Sequence, residues 1–408
     1  MALARWSQFA YRFGEYYKSA KLWTPPRLRT REWMLVPFGN RVPRRHQSFD
    51  SPEMIKKYFV ERTPASAFYS TAYYSKPSEL KMADKGWRGA DLIFDLDGDH
   101  LPGVSDQDFT GMLSEIQTKA WELWNDYLNP EFGFEERYLQ VTFSGHRGFH
   151  LHYRDPKLFH LNSEARRELV SHITGEGVDM KTILSTNNNS SWSTKLKKSY
   201  PDLIDKLAEI KEGDISKENI ENIIQNMDKW SAKSSNDTKS IKYTKKNLVD
   251  LSKLLENDDR RAAVIRGELS RLGHKRSGDN YWVNAFRNFA FSNQGVALGA
   301  AGETDEVVTV DVKRVIRHPT SLHGKSGLRV TEFPIERLDP DKKNSFDALS
   351  ETVVFSNSNE MNMQITTDDI QFRIRDKSYD LNRGDVVTVS EAVGTFLALK
   401  GWGVVEIK

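Results

Sequence analysis

No cysteine occurs anywhere in the 408 residues. Disulfides, cysteine-built zinc sites and thiol nucleophiles are thereby excluded. An excess of one charge is also missing: 59 Lys and Arg face 57 Asp and Glu, a net charge of +2. The chain as a whole is no polyanion sponge, so any contact with nucleic acid must come from local basic patches. No apolar run approaches the roughly 18 residues of a membrane span, and the N-terminus has no signal-peptide apolar segment. These absences lead us to expect a soluble, cytoplasmic protein with no membrane partner. No internal repeat is found, and the length allows one large core or two domains.

What is present centres on Leu92–Asp97, LIFDLD. Its apolar start suits a short buried strand that delivers two carboxylates, Asp95 and Asp97. Strand side chains alternate, so both point to one face, roughly 6–7 Å apart along the backbone. Two anions on one face repel unless a cation joins them, and a hard divalent ion such as Mg²⁺ suits carboxylate oxygens. A solvated loop is the bland alternative. The pattern also overlaps the D-x-D start of haloacid dehalogenase-type phosphatases, in which Asp95 would be nucleophile and Asp97 acid. Here, however, Gly98 is followed by Asp99 where that family has Thr or Val.

Along the chain, residues 1–30 begin as a helix and stop at Pro25-Pro26. Arg31–Pro37 reads as a strand, followed by a basic turn with Arg41, Arg44, Arg45 and His46. Ser51-Pro52-Glu53 opens a helix, and Ala67–Ser70 is a strand. Ser105 and Asp108 read as a capping box ahead of an apolar stripe from Phe109 to Leu128. Strands are expected at Tyr138–Phe143 and Val307–Val310, and later at Ile370–Ile374 and Val386–Val389. A last helix ends at Gly401. The middle, about 160–300, is helical with polar and Lys-rich runs such as Thr186–Ser193, Lys195–Lys198 and Lys239–Lys246. The expected fold is α/β (α+β): a core over 1–330 with a mixed sheet, interrupted by this helical insertion. Residues 331–408 form a small C-terminal α/β extension packed on that core.

Two further stretches carry chemistry. Val141–Tyr153 reads as two strands joined by a Ser144–Gly148 turn, whose glycines let backbone approach an anion. Arg147 and His150 add phosphate donors. A polar hairpin turn, or a metal site on His150 and His152, is the alternative for this stretch. The other stretch, Val308–Leu328, delivers a third carboxylate, Asp311, then Arg317, His323 and Lys325. Carboxylates that hold metals, with cations that neutralise phosphates, suit phosphoryl transfer.

In order and type these stretches resemble the small catalytic subunit of archaeal and eukaryotic DNA primases. Asp95 and Asp97 match its paired aspartates, Ser144–His150 its S-G-x-R-G-x-H motif, Asp311 its third aspartate. Arg317-x-Pro-x-Ser-Leu-His-x-Lys-Ser-Gly matches its downstream basic motif. Arg31-Glu-Trp, Arg45–Phe49 and Val389–Gly403 are also similar.

The resemblance implies a nucleotidyltransferase that makes short primers on a single-stranded DNA template from nucleoside triphosphates. It implies two Mg²⁺ or Mn²⁺ ions on Asp95, Asp97 and Asp311. Ser144, Arg147, His150, Arg317, His323 and Lys325 would grip the triphosphate, with Glu32, Arg45, Arg62 and His146 as further candidates. A primase large subunit is the implied partner.

Two departures stand out. The cysteine-and-histidine zinc knuckle of many members is replaced by the helix at about 105–128, so no zinc is expected, and His146 stands where an Arg is common. A non-catalytic nucleic-acid-binding subunit with a primase fold is the other alternative, against which the three aspartates argue.

Overall fold

The computed structural model describes residues 2–39, 42–98, 105, 107–174, 197–234, 242–274, 280–292 and 305–406. Arg41 and the run Thr186–Ser193 lie outside them. In chain order the first elements are α1 (Ala2–Ser19), β1 (Trp33–Val36), β2 (Arg44–Gln47), α2 (Pro52–Arg62), β3 (Ser66–Ser70) and β4 (Ala72–Tyr74). There follow β5 (Trp87–Ala90), β6 (Leu92–Asp97), α3 (Phe109–Leu123), β7 (Leu139–Phe143), β8 (Gly148–Tyr153) and α4 (Ser163–Thr174). Among the described residues five helices come next: α5 (Tyr200–Glu212), α6 (Lys217–Ser234), α7 (Lys245–Leu254), α8 (Asp258–Ile265) and α9 (Tyr281–Ser292). The chain then runs through α10 (Glu306–Val310), β9 (Val315–Arg317), β10 (Thr331–Phe333), α11 (Ala348–Glu351), β11 (Glu360–Ile365) and β12 (Ile370–Ile374). It closes with β13 (Lys377–Leu381), β14 (Val386–Ser390), α12 (Glu391–Lys400) and β15 (Gly403–Val405).

The chain divides into two compact units, residues 1–170 with 303–408, and residues 171–302. The first holds two four-stranded sheets, ordered β2-β1-β3-β9 and β10-β7-β8-β6. All pairings of these strands are antiparallel, so the class is α+β and the expected mixed sheet is corrected. The reason lies in the turn at Ser144–Arg147. It brings β8 back between β7 and β6, so these two never pair directly. The basic turn expected around Arg44–His46 is instead an edge strand, β2, against β1.

Local chemistry explains the helix starts. Ser51 Oγ accepts the Met54 N–H with Pro52 in the first turn, as expected of α2. The capping box at Ser105 does not form. Asp108 itself caps α3 by accepting the Gly111 N–H at 2.9 Å, and the Ser105 hydroxyl bonds to Gln107 instead. The stripe Phe109, Met112, Leu113, Ile116, Ala120 and Leu123 is buried, each large apolar side chain contributing roughly 1.5–3 kcal/mol. A π-helical turn, Trp124–Leu128, extends it to Tyr127 and Leu128.

Val307–Val310, expected as a strand, is helix α10. Asp305 caps it by accepting the Val308 N–H at 3.3 Å, and that cap overrides the β-branched composition. In the second unit, helices α5–α9 bury a core of their own that includes Leu203, Leu207, Leu251, Phe286 and Phe289. Among the described residues no helix is long and apolar enough to cross a membrane.

Candidate active site

The site begins at β6, an edge strand whose alternation turns Asp95 and Asp97 outward from a buried run. Register places Asp95 opposite His150 and Asp97 opposite Gly148 on β8. His150 Nε2 accordingly lies 3.3 Å from Asp95 Oδ1, and Arg147 Nε lies 3.5 Å from Asp97 Oδ1. Burial, with the neighbouring carboxylates of Asp97 and Asp305, pushes Asp95 up to about 7. Burial, helped by Arg317, holds His150 down at about 3. A neutral ring facing a carboxylate carries its proton on Nε2.

The turn between β7 and β8 is tied internally. Ser144 N–H donates to Gly148 O at 2.8 Å, and Ser144 Oγ accepts the Gly148 N–H at 3.1 Å and the His146 N–H at 3.4 Å. With its lone pairs on the turn, the hydroxyl would meet a ligand through its proton. Gly145 has φ +82°, and a Cβ there would come within 2.9 Å of His323 Cβ, so only glycine fits this close approach.

The opposing wall comes from the other sheet. Pairing of Phe68 with Arg317 sets the guanidinium over the Phe68 ring, 4.7 Å from its centre. Burial lowers Arg317 to about 10, opposed by the charges of Asp95 and Asp97, and at neutral pH it remains a cation. After β9 the chain returns His323, whose ring stacks on His146 with centroids 4.8 Å apart.

These residues enclose a cavity of about 300 Å³. Asp95, Asp97, Ser144, His146, Arg147, His150, Arg317, His323 and Lys325 all line it. Arg314 and Phe68 join them, unforeseen from the sequence.

The other residues singled out in the sequence fall elsewhere. Asp311 ends α10, its carboxylate accepting the Lys313 N–H at 2.8 Å; its charge acts on Tyr74 and Arg166, and it does not line the cavity. The carboxylate whose charge acts on Asp95 after that of Asp97 is Asp305, which also donates its backbone N–H to Asp95 O at 2.7 Å. The signal available in the sequence was Asp305-Glu306 ahead of a short apolar run, the N-cap pattern. Glu32 is buried and accepts from Arg45 Nε at 3.0 Å, a pair outside the cavity. Arg62 is exposed in the last turn of α2. His152 is buried beside Tyr69 and Arg154, and does not line the cavity.

Among the described residues no three His, Asp or Glu side chains are gathered so as to hold an ion unaided. The donor set nevertheless fits a hard cation. Asp95, Asp97 and Asp305 are oxygen donors; burial and then their mutual repulsion raise Asp95, and a divalent ion completed by water relieves that repulsion.

A family model described as DNA primase small subunit matches residues 94–335, which span every lining residue except Phe68. Relatives named "DNA primase small subunit PriS" cover nearly the whole chain. The protein of Methanoregula boonei is 35% identical over 96% of both chains. That of Methanothrix thermoacetophila is 34% identical over 84% of this chain and 85% of its own. That of Haloarcula marismortui is 30% identical over 96% of this chain and 95% of its own. Over most of its length, therefore, the chain belongs to the DNA primase small-subunit family.

Proposed function

We propose that the cavity joins a nucleoside triphosphate to a growing primer on a single-stranded DNA template. The observation that carries this reading is the juxtaposition in one cavity of a carboxylate cluster and a cationic wall. Asp95 and Asp97 line that cavity together with Arg147, Arg317 and Lys325, and Asp305, outside the lining, is tied to Asp95 through its backbone and acts on it by charge.

Asp95, Asp97 and Asp305 are the residues to hold Mg²⁺ or Mn²⁺, Asp305 taking the place expected of Asp311. The chemistry supplied by two such ions, when bound, is acidification of the primer 3′-hydroxyl and charge relief on the departing pyrophosphate.

The protein's own groups do the rest. Arg147 and Arg317 present planar forks and Lys325 a point charge to the triphosphate, fixing its register against the carboxylates. Ser144 offers its proton and His323 its ring N–H. His150, neutral and backed by β6, holds the Asp95 carboxylate in place and excludes water on that side.

A phosphatase built on Asp95 and Asp97 leaves Arg147, His323 and Lys325 without work. The relatives' designation as a small subunit supports a large-subunit partner, and work on DNA templates supports a place in the cytoplasm beside the genome.

Incorporation of labelled nucleotide on a single-stranded template tests the assignment. Asp97→Asn and Asp305→Asn lower it by about a hundredfold or more, since metal-held charge contributes several kcal/mol. Asp311→Asn leaves most of it. Ordinary activity in Asp305→Asn, with loss in Asp311→Asn, would return the third ligand to Asp311. Ordinary activity in Asp97→Asn removes the reading.

A further inference from the structure

His146 lines the cavity, yet it is a neutral ring: burial and the surrounding cations, Lys400 foremost, hold it well below the usual histidine range. A neutral imidazole has one donor and one acceptor, and its neighbours decide which nitrogen is which. Lys400, the last residue of α12, is not part of the cavity wall, but its Nζ lies 3.3 Å from His146 Nε2. An ammonium only donates. Nε2 is therefore the acceptor, and the proton sits on Nδ1.

The lysine is not left to wander. Its Nζ rests 4.7 Å from the centre of the Phe109 ring and 4.5 Å from that of Trp402, a bracket of two aromatic faces. On the other face of the arrangement the stacked His323 has the opposite tautomer. Its Nδ1 accepts the Lys325 N–H at 3.1 Å, so its proton is on Nε2. The charge of Lys400 reaches both rings.

We infer that Lys400 is a positioning residue for the triphosphate: it fixes His146 as the Nδ1–H tautomer and adds a positive charge behind the stacked histidines. The inference rests on the reading of the cavity as a triphosphate site. It also gives the C-terminal helix a task in nucleotide binding. A purely structural lysine would pack its stem on Phe109 and Trp402 and do no more.

Lys400→Met keeps the stem and removes the charge. Titration of the full chain with nucleoside triphosphate and Mn²⁺ then shows binding weakened by roughly three- to tenfold, the scale of one partly screened charge. Binding of the corresponding monophosphate changes less. The double variant Lys400→Met with His146→Arg, which moves the charge from one residue to the other, recovers triphosphate affinity. Nitrogen NMR of labelled histidines in the unaltered protein finds the His146 proton on Nδ1. A proton on Nε2 there overturns the inference without any variant, even if Lys400→Met fails to fold. Arg317→Ala separates the two readings. If it weakens triphosphate binding and folded Lys400→Met does not, only the role of Lys400 falls. If neither does, the cavity reading falls and takes this inference with it.

Discussion

Asp95 shows what burial, with two neighbouring carboxylates, does to a single side chain. In an unfolded chain an aspartate loses its proton near pH 4, about 3.9, whereas in the fold Asp95 keeps it up to about 7. Between those values the native state binds more protons than the unfolded one. The group's contribution to stability therefore falls as pH rises and is flat above about 7. Asn at this position does not titrate. In chelator, Asp95→Asn should raise the melting temperature clearly at pH 8 and much less at pH 5. Thermal melts at the two pH values check this, and an equal shift at both would show that the fold does not raise Asp95. The position of Asp95 and Asp97 was legible because strand alternation is a rigid rule. Arg147, His150 and His323 were legible from the motifs they sit in. Asp305 was not, since its place beside Asp95 depends on a backbone hydrogen bond across more than two hundred residues.

At the scale of elements, the β7–β8 hairpin carries the most constraint. Gly148 faces Asp97 across the ladder, and a Cβ there would stand 2.3 Å from Leu96 O, a main-chain atom that cannot swing aside. Gly148→Ala must push β8 away from β6 at the very residue that aligns the carboxylates. The expected outcome is a loss of roughly 1–3 kcal/mol, the cost of overpacking, read by denaturant melts. Incorporation should fall further than the folded fraction does. Unchanged stability and activity would mean that the two strands part freely at this end.

The hairpin itself was readable from its paired glycines and apolar flanks. Helix α10 was not: five residues are too few to show a helical period, and Val-Val-Thr-Val alone favours a strand. The cap, a local bond, and the tie to β6, a tertiary fact, together decide it. The sheet was misjudged as mixed for a related reason, because strand order is not written in local pattern.

At the scale of the molecule, the helical unit of residues 171–302 buries its own core, and among the described residues none of those lining the cavity comes from it. Its general helical character and helices α5–α7 were readable from the sequence, whereas α8 and α9 were not singled out there. Phe286 is fully buried within α9 and meets Tyr200 of α5 edge-on, with ring centroids 5.2 Å apart. Removing such a ring leaves a cavity that neighbouring helices fill only in part, at a cost of roughly 3–5 kcal/mol. Substitutions in separately packed cores respond independently when they share no partners. Phe286→Ala should therefore add an early loss of helical circular dichroism on heating. Triphosphate binding, titrated at a temperature between that early step and the main transition, should keep its unaltered affinity. Affinity that drops in step with the helical signal would show that the cavity draws its shape from residues 171–302 after all. The nucleotide site would then have to be sought in both units together.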